Sequence, residues 1–199
     1  MKLTNLETLI SLDRLANIIK YSHYASRLTG AIAEFGVFKG GSLELLAKLN
    51  PDAALFGIDS FAGLPEPTLD KDYHNEGEFS EVDFKAIYGY FKMLYPNVRI
   101  LKGFTPRVFK FFDNTVHFKF AHIDVDLYQS VMDGLAFFYP RMVQGGVILI
   151  DDYKWSSTPG CELAIEEFFS DKSDMSFRQE LKYFDTDSSD SHHQYLIVK

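Results

Sequence analysis

The stretch Ala31-Ile32-Ala33-Glu34-Phe35-Gly36-Val37-Phe38-Lys39-Gly40-Gly41-Ser42 decides the fold. Ala31 to Gly36 is a short apolar run of the kind that forms a buried strand. Gly40 and Gly41 break it, and Ser42 is a helix-capping residue type ahead of Leu43 to Leu49. Strand, glycine turn and helix in that order open a βα unit, which Pro51 ends.

Reading outward, the same alternation continues. Ala54 to Asp59 is the next strand, and Val82 to Tyr95 is a helix. Between them lies a loop over residues 62–80 holding Pro65, Pro67 and Gly77; loops of this length commonly serve as lids, so it is expected to cover an active site. Val98 to Leu101 and Phe118 to Asp124 are strands flanking a short helix from Pro106 to Phe112. Ser130 to Tyr139 is a helix stopped by Pro140, Gly146 to Asp151 is the most hydrophobic strand, and Glu162 to Phe169 is a helix. Phe177 to Phe184 and Gln194 to Val198 read as strands joined by the polar loop Asp185 to His193. Ahead of the quoted stretch, Leu6, Leu9, Ile10, Leu12, Leu15, Ile18 and Ile19 recur at helical spacing, and Tyr21 to Leu28 reads as a second short helix. Residues 1–29 are therefore expected to be a helical segment. The alternation predicts an α/β fold: one domain over residues 1–199, a doubly wound, mainly parallel seven-stranded sheet with helices on both faces, and a C-terminal antiparallel hairpin.

Composition narrows the function. A formal net charge of −8 argues against a nucleic-acid partner, which needs a basic face. No apolar stretch approaches the ~20 residues that cross a bilayer, and Met1 to Ile19 lacks the basic start and apolar core of a signal peptide, so no membrane partner and a cytoplasmic location are expected. Cys161, the lone cysteine, forms no internal disulfide and reads as a small buried hydrophobe. The amphipathic start can form a dimer surface or pack on its own sheet; a homodimer is the expectation.

In a doubly wound sheet, ligands bind beyond the carboxyl ends of the strands. Four predicted strands end in acid: Glu34, Asp59, Asp124 with Asp126, and Asp151 with Asp152. The glycine loop is neither Gly-x-Gly-x-x-Gly nor a P-loop, which excludes a dinucleotide fingerprint and a phosphate cradle and disfavours a nicotinamide-dependent oxidoreductase. With Asp59 placed to accept from both hydroxyls of a ribose, it points to an adenosine ligand without a pyrophosphate. Asp124, Asp151 and Asp152 end neighbouring strands, which lie ~5 Å apart; like charges brought together call for a cation, and hard oxygen donors favour Mg²⁺ or another divalent ion. His74 lies in the long loop, within reach of a substrate. His122 reads as a packed core residue, His192 and His193 as solvated loop residues, and Tyr153 and Trp155 either stack on an acceptor ring or pack on the following helix. The phenylalanines between Phe109 and Phe120 read as core.

Taken together, Ala33 to Ser42, Asp59-Ser60-Phe61-Ala62-Gly63-Leu64-Pro65, Ile123-Asp124-Val125-Asp126-Leu127-Tyr128-Gln129-Ser130 and Gly145-Gly146-Val147 through Asp151-Asp152-Tyr153 resemble the macrocin O-methyltransferase family, over roughly Gly30 to Phe169. That resemblance implies a Rossmann-like class I methyltransferase using S-adenosylmethionine and Mg²⁺ to methylate a sugar hydroxyl. It implies that Glu34, Gly36, Gly40 and Ser42, with Phe38 in the same loop, hold the methionine end of the cofactor. It also implies that Asp59 and Ser60 take the ribose, that Gly103 adds a contact, and that Asp124, Asp151 and Asp152 hold the metal. Gly103 keeps the family's glycine, but Phe104-Thr105-Pro106 replaces its usual Asp-Thr-Leu. Asp124 is expected to contact the cofactor and to act as both metal ligand and proton acceptor, with His74 as a second catalytic candidate. The alternatives are a metal-independent small-molecule methyltransferase and an inactive cofactor-binding partner protein.

Overall fold

The computed structural model describes residues 3–171, 176–182 and 193–199. Its strands are β1 (Ala31–Phe35), β2 (Leu55–Asp59), β3 (Val98–Lys102), β4 (Phe118–Ile123), β5 (Met142–Tyr153), β6 (Phe177–Leu181) and β7 (His193–Val198). They form one sheet in the order β3-β2-β1-β4-β5-β7-β6. The first five neighbours pair in parallel, whereas β7 pairs antiparallel with β5 and with β6. The doubly wound, mainly parallel sheet and its antiparallel C-terminal strands agree with the sequence reading. The polar stretch joining those strands, including His192, lies outside the described residues up to His193.

The central strands are apolar on both sides because both faces are covered, as parallel sheets require. Ala33, Phe35, Ala121, Ile123, Ile148 and Ile150 face one layer; Ile32, Phe120, Val147 and Leu149, their immediate neighbours in sequence, face the other. Helices α4 (Tyr128–Phe138) and α5 (Pro159–Phe169) close the first layer through Val131, Leu135, Cys161 and Ile165. Helices α1 (Leu12–Ala25), α2 (Gly41–Leu49) and α3 (Phe84–Leu94) close the second through Leu15, Ile18, Leu43, Leu46, Ile87 and Phe91. Most of the phenylalanine-rich stretch is core, with Phe109 stacked on Phe137 at 4.1 Å and Phe118 fully buried, whereas Phe111 is exposed. Cys161 is buried too. Among the described residues, no helix is long and apolar enough to cross a membrane.

Two expectations differ from what is observed. Residues 21–25 continue α1 rather than starting a second helix, and α1 itself starts only at Leu12. Residues 3–11 form a non-helical strap instead. Tertiary bonds consume its backbone groups: Asn5 and Leu6 donate their N–H groups to Glu44 Oε2 at 2.7 and 2.9 Å, and Gly41 donates to the Glu7 carbonyl at 3.0 Å. Fixed contacts of this kind override local helix preference. Leu6 and Ile10 still reach the core, but from an extended chain. The apolar stripe of α1 faces the chain's own sheet.

The strand order reverses beside β1, whose neighbours are β2 on one side and β4 on the other. That switch point is where a doubly wound sheet opens a crevice.

Candidate active site

At the switch point the backbones of β1 and β4 nearly touch. Asp124 donates its N–H to the Phe35 carbonyl at 2.8 Å, and Gly36 donates to Ile58 at 2.9 Å. Gly36 turns away with φ +98°, and a Cβ there would stand 1.7 Å from the Asp124 carbonyl oxygen, so only glycine fits. Beyond this turn, residues 36–42 wrap the mouth of a cleft of about 240 Å³. Its walls hold Gly36, Phe38, Ser42, Asp59, Ser60 and Gly103 together with Asp124, Asp126, Asp152 and Trp155. The strap contributes Glu7 to Ile10, and the long loop contributes Gly63, Leu64, Pro65 and Phe79.

Asp59 stiffens the glycine loop. Its Oδ2 accepts from Val37 N at 2.8 Å and Phe38 N at 2.9 Å, and its Oδ1 accepts from Phe61 N at 2.6 Å. A carboxylate offers about four lone-pair sites. All four are engaged, the fourth only by the long 3.5 Å bond from Ser60 Oγ, so a further donor has to displace that contact.

Glu34, Gly40, His74 and Asp151 do not line the cleft. Glu34 is fully buried beneath it, with Oε1 3.1 Å from His122 Nδ1. Gly40 caps α2 with φ +88°. His74 sits one ring behind the wall, its Nδ1 2.5 Å from Glu78 Oε2 and its ring against Phe79, which does face the cleft. The long loop is held in place by Asp72, which accepts from Thr68 N and from Tyr128 N at the start of α4, both at 2.8 Å. Tyr153 packs against Tyr195 at 4.7 Å rather than facing the cleft.

The acidic end holds a chain of charges. His122 is buried as expected, but as an ion-paired bridge: Nδ1 meets Glu34, and Nε2 lies 3.6 Å from Asp151 Oδ2. Burial pulls the His122 pKa down, yet the carboxylates of Asp151 and Glu34 outweigh it and raise it to about 10. Burial pushes Glu34 up, with His122 opposing. Arg14 reaches in from α1, with Nη1 3.1 Å from Asp151 Oδ1 and 3.5 Å from Asp152 Oδ1. Burial raises the Asp124 carboxyl well above the usual range, and repulsion from Asp152 and Asp151 adds to it. Asp126 is raised to about 7 by burial and then by Asp124. Asp126 and Asp152 both adopt left-handed backbone, at φ +59° and +61°, the kind of local strain that collects at functional sites. Two sets place one donor atom from each member within 4.8 Å of the others: His122 with Asp124 and Asp151, and Asp124 with Asp126 and Asp152. Asp124 is common to both, so it sits at the centre of the cluster. The second set is all carboxylate, and its hard oxygen donors suit a divalent ion of the Mg²⁺ type.

The chain matches the Macrocin-O-methyltransferase (TylF) family over residues 6–188. It belongs to that family. Mycinamicin III 3''-O-methyltransferase of Micromonospora griseorubida is 30% identical over 184 residues, covering 81% of this chain and 69% of that protein. Demethyldecarbamoylnovobiocin O-methyltransferase of Streptomyces niveus is 26% identical over 187 residues, covering 82% and 68%. Among solved structures, the O-methyltransferase NovP superposes with a TM-score of 0.71 at 25% identity, covering 94% of this chain and 80% of that one. The fold is shared with TomG of Streptomyces achromogenes in complex with S-adenosylmethionine, at a TM-score of 0.67 and 15% identity, with 95% and 80% covered. The family member described here is an S-adenosylmethionine-dependent O-methyltransferase.

The sequence reading missed Arg14 and the strap. A signal for Arg14 was present: it lies four residues after Ile10 and four before Ile18, a charge on the stripe that otherwise faces the core. Nothing local marked residues 3–11 as a strap, because their leucines are spaced as a helix would space them.

Proposed function

We propose that this methyltransferase methylates a hydroxyl of a sugar or a similar diol-bearing small molecule, assisted by a divalent cation such as Mg²⁺. The observation that carries the reading is a single cleft lined by both the glycine loop with Asp59 and the carboxylates Asp124, Asp126 and Asp152. The names of the relatives support the acceptor class: one acts on the 3'' position of mycinamicin III, another on a rhamnosyl-bearing tetracenomycin.

When bound, S-adenosylmethionine supplies an electrophilic methyl group, and a divalent cation supplies positive charge that lowers the pKa of a nearby hydroxyl. The residues of this chain do the rest. Gly36, Phe38, Ser42 and Ser60 shape the cofactor end, and Asp59 takes one ribose hydroxyl in place of its long bond from Ser60 Oγ. Glu34 supports that end from below, and Gly40 does so by its turn. Gly103 adds backbone at the rim. Asp124 and Asp152 would form the cation cradle with Asp151 beneath them, and Asp126 borders it. Asp126, which lines the cleft beside Asp124, is a second proton acceptor within reach of the acceptor hydroxyl. Trp155 and Phe104 give an acceptor ring apolar walls. His74 acts through Phe79, as a positioning residue of the loop. Holding both reactants in one enclosed geometry supplies much of the rate enhancement.

Calorimetric titration of S-adenosylhomocysteine tests the cofactor end. Binding in the micromolar range is expected, weakened about tenfold or more by Asp59→Asn, which loses a charged acceptor. Absence of binding to the wild-type protein overturns the reading.

A further inference from the structure

Arg14 belongs to a helix on the outside of the sheet, yet its guanidinium ends inside the cleft and the residue is only 8% exposed. Its Nη1 lies 3.1 Å from Asp151 Oδ1 and 3.5 Å from Asp152 Oδ1. Nη2 donates to the Leu9 carbonyl at 3.3 Å, and Nε donates to Ser11 Oγ at 3.4 Å. The guanidinium thus holds two carboxylates of the cradle on one side and the strap on the other.

A divalent ion needs the same two carboxylates. Two positive charges a few ångströms apart in a half-dry cleft repel, and a carboxylate lone pair aimed at a guanidinium is not free for a metal. Without a metal ion, four neighbouring carboxylates face one another, and His122 contributes positive charge beside Asp151. Arg14 supplies a cation that is built into the chain, and its contacts to Leu9 and Ser11 offer the guanidinium partners when it leaves the carboxylates.

We propose that Arg14 is the resident counter-ion of the acidic cluster and a specificity-determining residue that sets its divalent-metal affinity by competing for Asp151 and Asp152. This rests on the assignment of the cradle to a divalent cation. Arginine at this position keeps the cluster neutralised and folded without metal, and makes metal entry an exchange of one cation for another rather than a simple addition.

The test is titration of the full chain with Mn²⁺, followed by calorimetry and by the electron paramagnetic resonance signal of free Mn²⁺, for wild type, Arg14→Gln and Arg14→Lys. Arg14→Gln should bind Mn²⁺ about tenfold or more tighter than wild type, since one repelling charge is gone. Arg14→Lys, which keeps the charge without the planar fork, should stay within about threefold of wild type. Equal affinity in wild type and Arg14→Gln overturns the proposal while leaving the metal assignment standing. No Mn²⁺ binding by either protein overturns both. If Arg14→Gln folds only with metal present, the dependence of Tm on Mn²⁺ makes the same comparison: a steeper rise than in wild type supports the competition, and an equal rise refutes it.

Discussion

Asp126 and Gly36 show how single residues define the cleft. Asp126 borders the cradle through a left-handed backbone position, with its carboxyl raised to about 7 by burial and by Asp124. Asp126→Asn keeps the shape and removes a proton acceptor. It should lower kcat by about 10²- to 10⁴-fold, the usual contribution of general-base catalysis, while S-adenosylhomocysteine affinity stays nearly constant. A parallel loss of cofactor affinity would assign Asp126 a structural role instead. Gly36→Ala drives a methyl group into the Asp124 carbonyl at a backbone angle that side chains resist. It should cost about 3 kcal/mol or more in urea denaturation, because neither strand can retreat without breaking its ladder. At this scale the sequence was partly legible. Carboxylates at strand ends were visible as a pattern, but the pairing of His122 with Glu34 was not. The two are 88 residues apart and become lateral neighbours only once β1 and β4 are known to pair. His193 was read as a solvated loop residue; it lies on β7, buried, with Nδ1 2.5 Å from Glu180 Oε1, since the strand starts earlier than its hydrophobic pattern suggests.

Among the elements, the strap depends on a single buried carboxylate. Glu44 of α2 accepts from Asn5 N, Leu6 N, Tyr90 Oη and Tyr95 Oη, and pairs with Lys48 at 2.9 Å. Burial alone would raise its pKa, but the bonds from Leu6, Lys48, Tyr90 and Asn5 outweigh it and hold it at about 2. A carboxyl whose folded pKa lies below its unfolded value stabilises the fold above that unfolded value, near 4.5, and loses this contribution as pH falls toward 2. Glu44→Gln should therefore cost about 3 kcal/mol at neutral pH, and its Tm deficit relative to wild type should shrink steadily between about pH 4.5 and pH 2. A deficit independent of pH in that window would show that the charge of Glu44 does not hold the strap. Because Glu7 to Ile10 line the cleft, the same variant should also weaken S-adenosylhomocysteine binding. The strap was illegible for the same reason that it is stable: its partners lie about forty residues away, and tertiary hydrogen bonds replaced the helix that local spacing implied. Pro51 and Pro140 made the C-terminal ends of α2 and α4 legible, whereas α2, α4 and α5 start two or three residues earlier than read, because their first turns carry no side-chain cap, Ser42 included.

For the whole molecule, alternation of strand and helix was enough to anticipate a doubly wound sheet, since right-handed crossovers leave few other arrangements for parallel strands. The place of the cleft followed from that topology, since ligands bind where the strand order reverses, although Glu34 and Asp151 do not line it. What topology alone did not carry was how the converging charges are balanced, since Arg14 arrives from outside the sheet. The central claim, cation-assisted methyl transfer to a diol-bearing acceptor, is tested most directly by following transfer of labelled methyl from S-adenosylmethionine to a sugar with a vicinal diol, with Mg²⁺ and then with excess chelator. The expected result is turnover that falls by about 10²-fold or more under chelation, returns on adding Mg²⁺, and is weak toward the same sugar lacking one of the two hydroxyls. Equal turnover with and without chelator would contradict it, and would leave Asp126 to activate the hydroxyl without a metal.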